Sequence, residues 1–186
     1  MSIGEYSHHE LERRRWQNPE AILASIELES GFTFIDVGCG TGFFALPAAK
    51  IVGSKGKVYG IDIDADAIQR LKERALKEGL KNLNLWVGEA EESILCCACA
   101  DIVFFGIVLH DFRDPVKVLM NAKEMLKPTG RLIDLDWKRE SMHLGPPLKI
   151  RFSKEKAARL IEQAGFKTEA IKKSGSYHYL IVAKPF

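Results

Sequence analysis

Short apolar runs alternate with amphipathic stretches along most of the chain. Runs rich in β-branched and aromatic residues predict five strands, at residues 33–37, 57–62, 84–87, 100–106 and 131–137. Stretches between and after these runs carry apolar positions at helical spacing, as in Ile68, Leu71 and Ala75. Asp64 and Ser153 stand where the N-caps of two such helices are expected.

The order of these elements predicts one domain over residues 1–186, with a helical segment at 1–30 and a core at 31–186. Strands that alternate with helices build an α/β fold, a doubly wound and mostly parallel sheet with helices on both faces. The very apolar run 100–106 is expected to be a central strand that is covered on both faces. Residues 166–184 are predicted to close the chain as an antiparallel pair around Gly175.

The segment before the core is predicted to be a polar helix followed by a second helix. Asn18 supplies an N-cap for the second helix, and Pro19 suits its first position. Three consecutive arginines from Arg13 would suit a nucleic-acid arm on their own, but neighbouring glutamates offset their charge. The segment either packs beside the carboxyl edge of the sheet or covers the site there. We favour the packing role.

Composition narrows the class of partner. The formal charge of +2 and the pI near 8.3 are too mild to indicate a nucleic-acid or membrane partner. The longest apolar run, residues 102–109, is far shorter than a membrane span, so no membrane insertion is expected. The first residues show no basic region followed by an apolar one, as a signal peptide would. We therefore expect a cytoplasmic protein.

The four cysteines do not form the pattern of a disulfide framework. Cys39 stands alone, whereas Cys96, Cys97 and Cys99 crowd one short segment with no histidine nearby. The spacing is not that of a paired Cys-x-x-Cys zinc site, and we expect no metal site. Reduced thiols in a loop are the favoured interpretation. Thiolates that bind a soft substrate such as arsenite remain the alternative.

A glycine-rich turn between a strand and a helix is the strongest functional signal in the sequence. Gly38, Gly40 and Gly42 follow the first strand at every second position, which suits a turn whose backbone lies against a ligand. Asp36 precedes this turn by two residues, and its carboxylate would repel a pyrophosphate bound there. A ligand that carries an ammonium and a sulfonium but no phosphate would instead be attracted.

The run Asp36-Val37-Gly38-Cys39-Gly40-Thr41-Gly42 resembles the first motif of class I S-adenosylmethionine-dependent methyltransferases. The resemblance covers roughly residues 33–185 and is greatest to the small-molecule branch, which includes quinone (ubiquinone and menaquinone), sterol and arsenite methyltransferases. It implies a Rossmann-like, seven-stranded sheet whose last strand is antiparallel. It also implies that S-adenosylmethionine lies across the carboxyl ends of the strands.

The predicted cofactor contacts lie at the ends of four strands. Asp62 ends the second strand about twenty residues after the glycine turn, where an acid binds a ribose diol, and the resemblance assigns it that role. The resemblance also places Glu89 near the exocyclic amine of the adenine. The full set of predicted cofactor residues is Asp36, Gly38, Cys39, Gly40, Gly42, Asp62, Ile63, Glu89, Ala90 and Gly106.

The expected reaction moves a methyl group to a small-molecule acceptor by in-line displacement. The sequence lacks the Asn/Asp-Pro-Pro-Tyr/Trp motif of base amino methylation and the Pro-Cys dipeptide of cytosine C5 chemistry. The identity of the methyl acceptor and the atom that receives the methyl group stay open. His110 is the candidate general base, since its unperturbed pKa near 6.5 allows proton uptake at neutral pH. The alternative is that His110 caps or packs against the helix that begins at Asp114.

Two functions from other classes remain open at this point. A dinucleotide-dependent oxidoreductase would use the same fold, although Asp36 and the glycine spacing oppose it. A binding module could keep the cofactor site without catalysis, and nothing in the sequence argues against that.

Overall fold

The computed structural model describes residues 3–186, with side chains described from residue 10 onward. Seven strands form one sheet in the order β3-β2-β1-β4-β5-β7-β6. The first five strands run parallel, whereas β7 pairs antiparallel with both β5 and β6. The strands are β1 (Thr33–Val37), β2 (Lys57–Asp62), β3 (Leu83–Val87), β4 (Ala100–Gly106), β5 (Leu126–Trp137), β6 (Phe166–Ser174) and β7 (His178–Pro185). The predicted fold class is confirmed.

Six helices accompany the sheet in the part of the chain that the structure describes. They are α1 (Ile3–Trp16), α2 (Pro19–Ser25), α3 (Ala45–Val52), α4 (Ala65–Lys77), α5 (Pro115–Met125) and α6 (Lys154–Gln163). Four of them begin at side-chain caps, because Asn18, Asp64, Asp114 and Ser153 each accept a backbone N–H of the first turn. Residues 1–2 of the predicted helical segment lie outside the described residues. The division at residue 30 stays a prediction.

Two apolar layers cover the sheet, one on each face. Leu46 of α3 and Leu71 of α4 pack over one face, while Leu119 of α5 and Ile161 of α6 pack over the other. Strand β4 contributes to both layers and is buried along most of its length, as predicted for a central strand. Each large side chain buried in this way contributes about 1.5–3 kcal/mol.

Two boundaries differ by two residues or more from the sequence, which predicts a strand from Arg131 and helical character from Phe43. Strand β5 begins at Leu126, because Leu126 pairs with Ala100, and after a register shift the pairing resumes between Arg131 and Ile102. Helix α3 begins at Ala45 and not at residue 43, because the glycine turn continues through Phe44.

The expectation of reduced thiols is wrong for two of the clustered cysteines. Cys96 and Cys99 form a disulfide, with their Cα atoms 6.0 Å apart. Backbone hydrogen bonds from Ala98 N to Glu124 O and from Cys99 N to Met125 O hold the turn against the end of α5. The Cys-x-x-Cys spacing of Cys96 and Cys99 permits such a bond but does not require it, and this tertiary contact holds the turn in which the two sulfur atoms meet. Cys97 is exposed and Cys39 is buried, and both are free thiols.

Candidate active site

The three glycines of the turn meet different surroundings. A Cβ atom on Gly42, whose φ is +92°, would lie 2.3 Å from Leu71 Cδ1, and one on Gly38 would lie 2.5 Å from Val108 Cγ2. A Cβ atom on Gly40, whose φ is +51°, would meet no atom of the described residues within 4 Å. Packing therefore requires Gly38 and Gly42, whereas Gly40 faces open space in which a ligand can approach the backbone.

Asp36 lies beneath the glycine turn and is buried. Its Oδ2 atom has no hydrogen-bond partner among the described residues. Burial, with the charge of Asp62 adding to it, raises the pKa of Asp36 to about 8, against the opposing effects of Arg13 and of the Ala45 N–H. An approaching cation would favour the ionised form, so the carboxyl group is placed to respond to a positively charged ligand.

Arg13 of α1 reaches the same region, which the sequence did not indicate. Its guanidinium carbon lies 3.9 Å from the centre of the Phe43 ring, and its Nε donates to Gln17 Oε1 at 2.7 Å. Burial lowers the pKa of Arg13 to about 10 although the charge of Asp36 opposes this change. Helix α1 therefore contacts the glycine turn through a charged side chain, at the carboxyl edge of the sheet.

Asp62 ends β2 and fixes the glycine turn from the opposite side. Its Oδ2 accepts Gly40 N at 2.7 Å, and its Oδ1 accepts Asp64 N at 2.9 Å. A carboxylate that accepts two backbone N–H groups is held in one orientation, and its remaining lone pairs can accept hydroxyl groups of a ligand.

A cavity of about 490 Å³, here called the cofactor cavity, opens at the ends of β1, β2, β3 and β4. Five of the predicted cofactor residues line it, namely Gly38, Asp62, Ile63, Glu89 and Ala90. The sequence prediction did not name other residues of its wall, among them Gly88, Glu91, Val108, Asp111, Phe112 and Arg113. These residues follow β3 and β4 within a few positions, so they could have been predicted from the positions of the strand ends.

The other five predicted residues lie outside the wall of this cavity. Asp36 and Cys39 are buried, and a Cβ atom on Gly60 would lie 2.9 Å from Cys39 Sγ, so this thiol packs against β2. Gly40 and Gly42 belong to the turn described above. A Cβ atom on Gly106 would lie 2.9 Å from the Phe44 ring. The roles of all ten residues toward a cofactor stay predictions.

His110 pairs with a carboxylate from the neighbouring strand. His110 lies in a short 3-10 turn after β4, and its Nδ1 is 2.8 Å from Oδ2 of Asp136 on β5. The other oxygen of Asp136 accepts Trp137 N at 2.7 Å. His110 Nε2 lies 3.5 Å from Oδ1 of Asp111, a residue of the cofactor-cavity wall. The side chain of His110 therefore bridges β5 and that wall instead of capping α5, whose N-cap is Asp114.

The side chain of His110 is only 2% exposed, and its surroundings favour the protonated imidazole. Burial lowers its pKa, but the hydrogen bond and charge of Asp136 outweigh burial, so that the pKa of His110 is raised above 6.5. Asp136 also fixes the ring, because an Nδ1–H donated to the carboxylate leaves Nε2 as the basic nitrogen. The sequence did not identify Asp136 as the orienting partner.

The described residues form neither a membrane-spanning helix nor a metal-binding cluster. No helix within residues 3–186 is long and apolar enough to cross a membrane. The same residues contain no group of three or more His, Cys, Asp or Glu side chains that could hold a metal ion.

Comparison with known proteins gives consistent results. A family model described as a methyltransferase domain matches residues 28–173. The crystal structure of a SAM-dependent methyltransferase from Aquifex aeolicus is 32% identical, with a TM-score of 0.89 over 94% of this chain and 93% of that chain.

Two curated relatives are methyltransferases with named acceptors. An aklanonic acid methyltransferase from Streptomyces sp. (strain C5) is 34% identical over 103 residues, which are 55% of this chain and 47% of the relative. A demethylmenaquinone methyltransferase from Geobacillus kaustophilus is 28% identical over 67% of this chain and 53% of the relative. The chain thus spans about half the length of these two proteins.

Proposed function

This chain belongs to the S-adenosylmethionine-dependent methyltransferase family, and on that premise we propose that it methylates a small organic acceptor. The family and the cofactor agree with the sequence prediction. The observation that carries the proposal is the joint placement of the turn and the cavity. Gly40 leaves room for a ligand beside the backbone, Asp36 keeps a buried oxygen without a partner among the described residues, and Asp62 lines the adjacent cofactor cavity.

These residues fit the cofactor that the family implies. Bound S-adenosylmethionine supplies an activated methyl group on a positively charged sulfur atom. Asp62 is suited to accept hydrogen bonds from the ribose hydroxyls, and Glu89 is suited to accept one from the adenine amine. Asp36 supplies a carboxyl group that favours positive charge near the turn, and the apolar side chain of Ile63 flanks the cavity.

His110 is proposed as the general base. It takes a proton from the acceptor at Nε2, while Asp136 holds the ring at Nδ1 and stabilises the charge that forms. Positioning of the acceptor contributes on the order of 7–11 kcal/mol in reactions of this kind, and a general base adds about 10²–10⁴ in rate. The chain therefore needs few catalytic side chains beyond a correctly shaped site.

The acceptor is proposed to be a small molecule, as for the aklanonic acid and demethylmenaquinone relatives. A cluster of three thiolates for arsenite is not formed among the described residues, because Cys96 and Cys99 are joined and Cys97 is the exposed thiol. A cytoplasmic location and the lack of a nucleic-acid partner stay predictions.

Calorimetry with S-adenosylmethionine, S-adenosylhomocysteine and NAD tests the proposal. Above pH 8, where Asp36 is mostly ionised, we expect both adenosyl compounds to bind and NAD to bind far more weakly, because the carboxylate would repel a pyrophosphate at the turn. Acceptor screening should then give S-adenosylhomocysteine in proportion to methylated product. Tight NAD binding without adenosyl-compound binding would overturn the proposal, and adenosyl-compound binding with no turnover for any small acceptor would reduce it to a binding module.

A further inference from the structure

A second cavity, of about 310 Å³, opens at the end of the other half of the sheet. Lys138 follows β5, Lys172 and Lys173 lie near the carboxyl end of β6, and Tyr179 lies near the start of the antiparallel β7. Because β6 runs in the same direction as β5, this basic cavity opens at the same edge of the sheet as the cofactor cavity. Its wall also contains Arg139, Glu140, Ser153, Lys154, Glu155 and Ile171.

The basic cavity carries an excess of positive charge. Five cations line it, Lys138, Arg139, Lys154, Lys172 and Lys173, against the carboxylates of Glu140 and Glu155. Lys154 pairs loosely with Glu155 at 3.9 Å, and Lys138 donates to Ser176 O at 2.7 Å. The side chains of Arg139, Lys172 and Lys173 form no ion pair with any described residue. Like charges that gather around a concave surface favour an anion there.

A buried hydroxyl group gives independent support. Tyr179 is 3% exposed and forms part of the cavity wall, yet its hydroxyl has no hydrogen-bond partner among the described residues. Buried polar groups in folded proteins are usually paired, so an unpaired donor at a cavity wall indicates a ligand. Burial, with Asp134 and Asp136 nearby, raises the pKa of Tyr179 far above its usual value, so the group remains an O–H donor at neutral pH.

The basic cavity is connected to the catalytic pair through the sheet. Tyr179 is the register partner of Asp136 in the β5–β7 ladder, and Asp136 binds His110. Tyr179, a residue of the basic-cavity wall, therefore stands beside the strand position that holds the catalytic pair. We propose that the basic cavity binds a carboxylate or phosphate group of the methyl acceptor. This inference rests on the proposed function, because it assigns the ligand to the methyl-transfer reaction.

Anion binding can be measured without turnover. Nitrogen-15 NMR titrations would use inorganic phosphate and benzoate on the full chain saturated with S-adenosylhomocysteine. Lys172→Ala/Lys173→Ala is expected to weaken binding of both probes at least tenfold. The control Lys55→Ala/Lys167→Ala removes the same charge from exposed sites outside the cavity and should leave binding unchanged. Equal affinity of the cavity variant and the control would overturn the proposal.

Tyr179→Phe separates a ligand-binding hydroxyl from a structural one. Because the hydroxyl has no partner among the residues that the structure describes, its removal should not lower the thermal midpoint, whereas affinity for both probes should fall at least threefold. A lower midpoint with unchanged probe affinity would assign the hydroxyl to the fold and count against the proposal.

Paired acceptors identify the source of the anion. Phenols that differ only in carrying a carboxylate or a carboxamide would be compared for methylation. The wild-type protein should prefer the carboxylate, and Lys172→Ala/Lys173→Ala should abolish that preference by raising KM while kcat changes little. If the probes bind but the variant leaves the preference unchanged, the anion is not part of the acceptor. Failure of S-adenosylhomocysteine to bind wild-type protein would instead overturn the proposed function, and the probe titrations without it would still test the cavity.

Discussion

The two halves of the sheet carry their chemistry in different ways. In the cofactor half, β1 to β4, the site is made largely by backbone and by acids at successive strand ends, as in the turn Gly38–Gly42 and in Asp62. Where this half meets the other half, β5 to β7, the candidate chemistry depends on side chains that distant segments bring together, such as His110 after β4 and Asp136 on β5, which are 26 residues apart. The residues of the first kind of site are close together in the sequence, whereas those of the second kind come together only in the folded sheet.

Substitution of His110 should separate an effect on kcat from an effect on cofactor affinity most clearly. His110→Gln should lower kcat by about 10²–10⁴ and leave affinity for S-adenosylmethionine unchanged, because the imidazole acts on the acceptor. Steady-state kinetics and calorimetry would measure both quantities. A near-normal kcat in this variant would contradict the role of general base and indicate that His110 is structural.

The pH profile tests the partner of His110. The neutral imidazole is the base, so kcat should rise with pH through the pKa of His110, which Asp136 holds above 6.5. Asp136→Asn should move this midpoint to lower pH and reduce kcat, because the amide cannot stabilise the imidazolium. An unchanged midpoint would show that another group controls the profile.

Valine substitutions in the glycine turn test whether the cofactor half depends on backbone access. Gly40→Val should reduce cofactor affinity by about 5- to 150-fold, since a steric overlap costs about 1–3 kcal/mol. Its fold should be retained, with a loss of about 1–2 kcal/mol for positive φ. Gly42→Val is the matched contrast, because its Cβ overlaps Leu71, and it should unfold the protein well below the wild-type midpoint.

Substitution of Asp62 should have a smaller effect on cofactor affinity. Asp62→Ala removes two charge-assisted hydrogen bonds of about 1.5–3 kcal/mol each and should weaken cofactor binding at least tenfold. The ribose role is tested with 2′-deoxy analogues, which Asp62→Ala should no longer distinguish from the parent compound. Undiminished discrimination by the variant would place Asp62 away from the ribose.

The smallest expected effect, taken per pH unit, concerns the free energy of unfolding and arises from the buried acid beneath the turn. The folded pKa of Asp36 is about 8, against a usual value of 3.8, so between these values the unfolded chain releases a proton that the folded chain retains. Stability should therefore fall as pH rises through that window, by at most about 1.4 kcal/mol per pH unit for this group. Asp36→Asn should flatten the slope in urea titrations from pH 5 to 8. An identical slope in the variant would assign it to other groups.

The comparison also explains what the sequence could predict. Strand, glycine turn and helix follow one another within twenty residues, so Asp36, Gly40 and their elements are readable from local pattern. Asp62 and Glu89 follow because parallel strands end at one edge. Asp136 could not be assigned, because its role requires knowing that β5 lies beside β4 and that His110 turns toward it. The position of Arg13 could not be predicted, because α1 shows no apolar face that would orient it. The disulfide could not be predicted, because the turn that contains it is held in place by α5, which is distant in sequence.

The placement of Arg13 makes helix α1 part of the binding equilibrium. Its guanidinium interacts with Asp36, the same carboxyl group that a positively charged cofactor would influence. By thermodynamic linkage, the factor by which docking of α1 changes cofactor affinity equals the factor by which the cofactor changes docking. Hydrogen exchange of the amides of residues 10–16, with and without cofactor, would measure that coupling as a protection ratio.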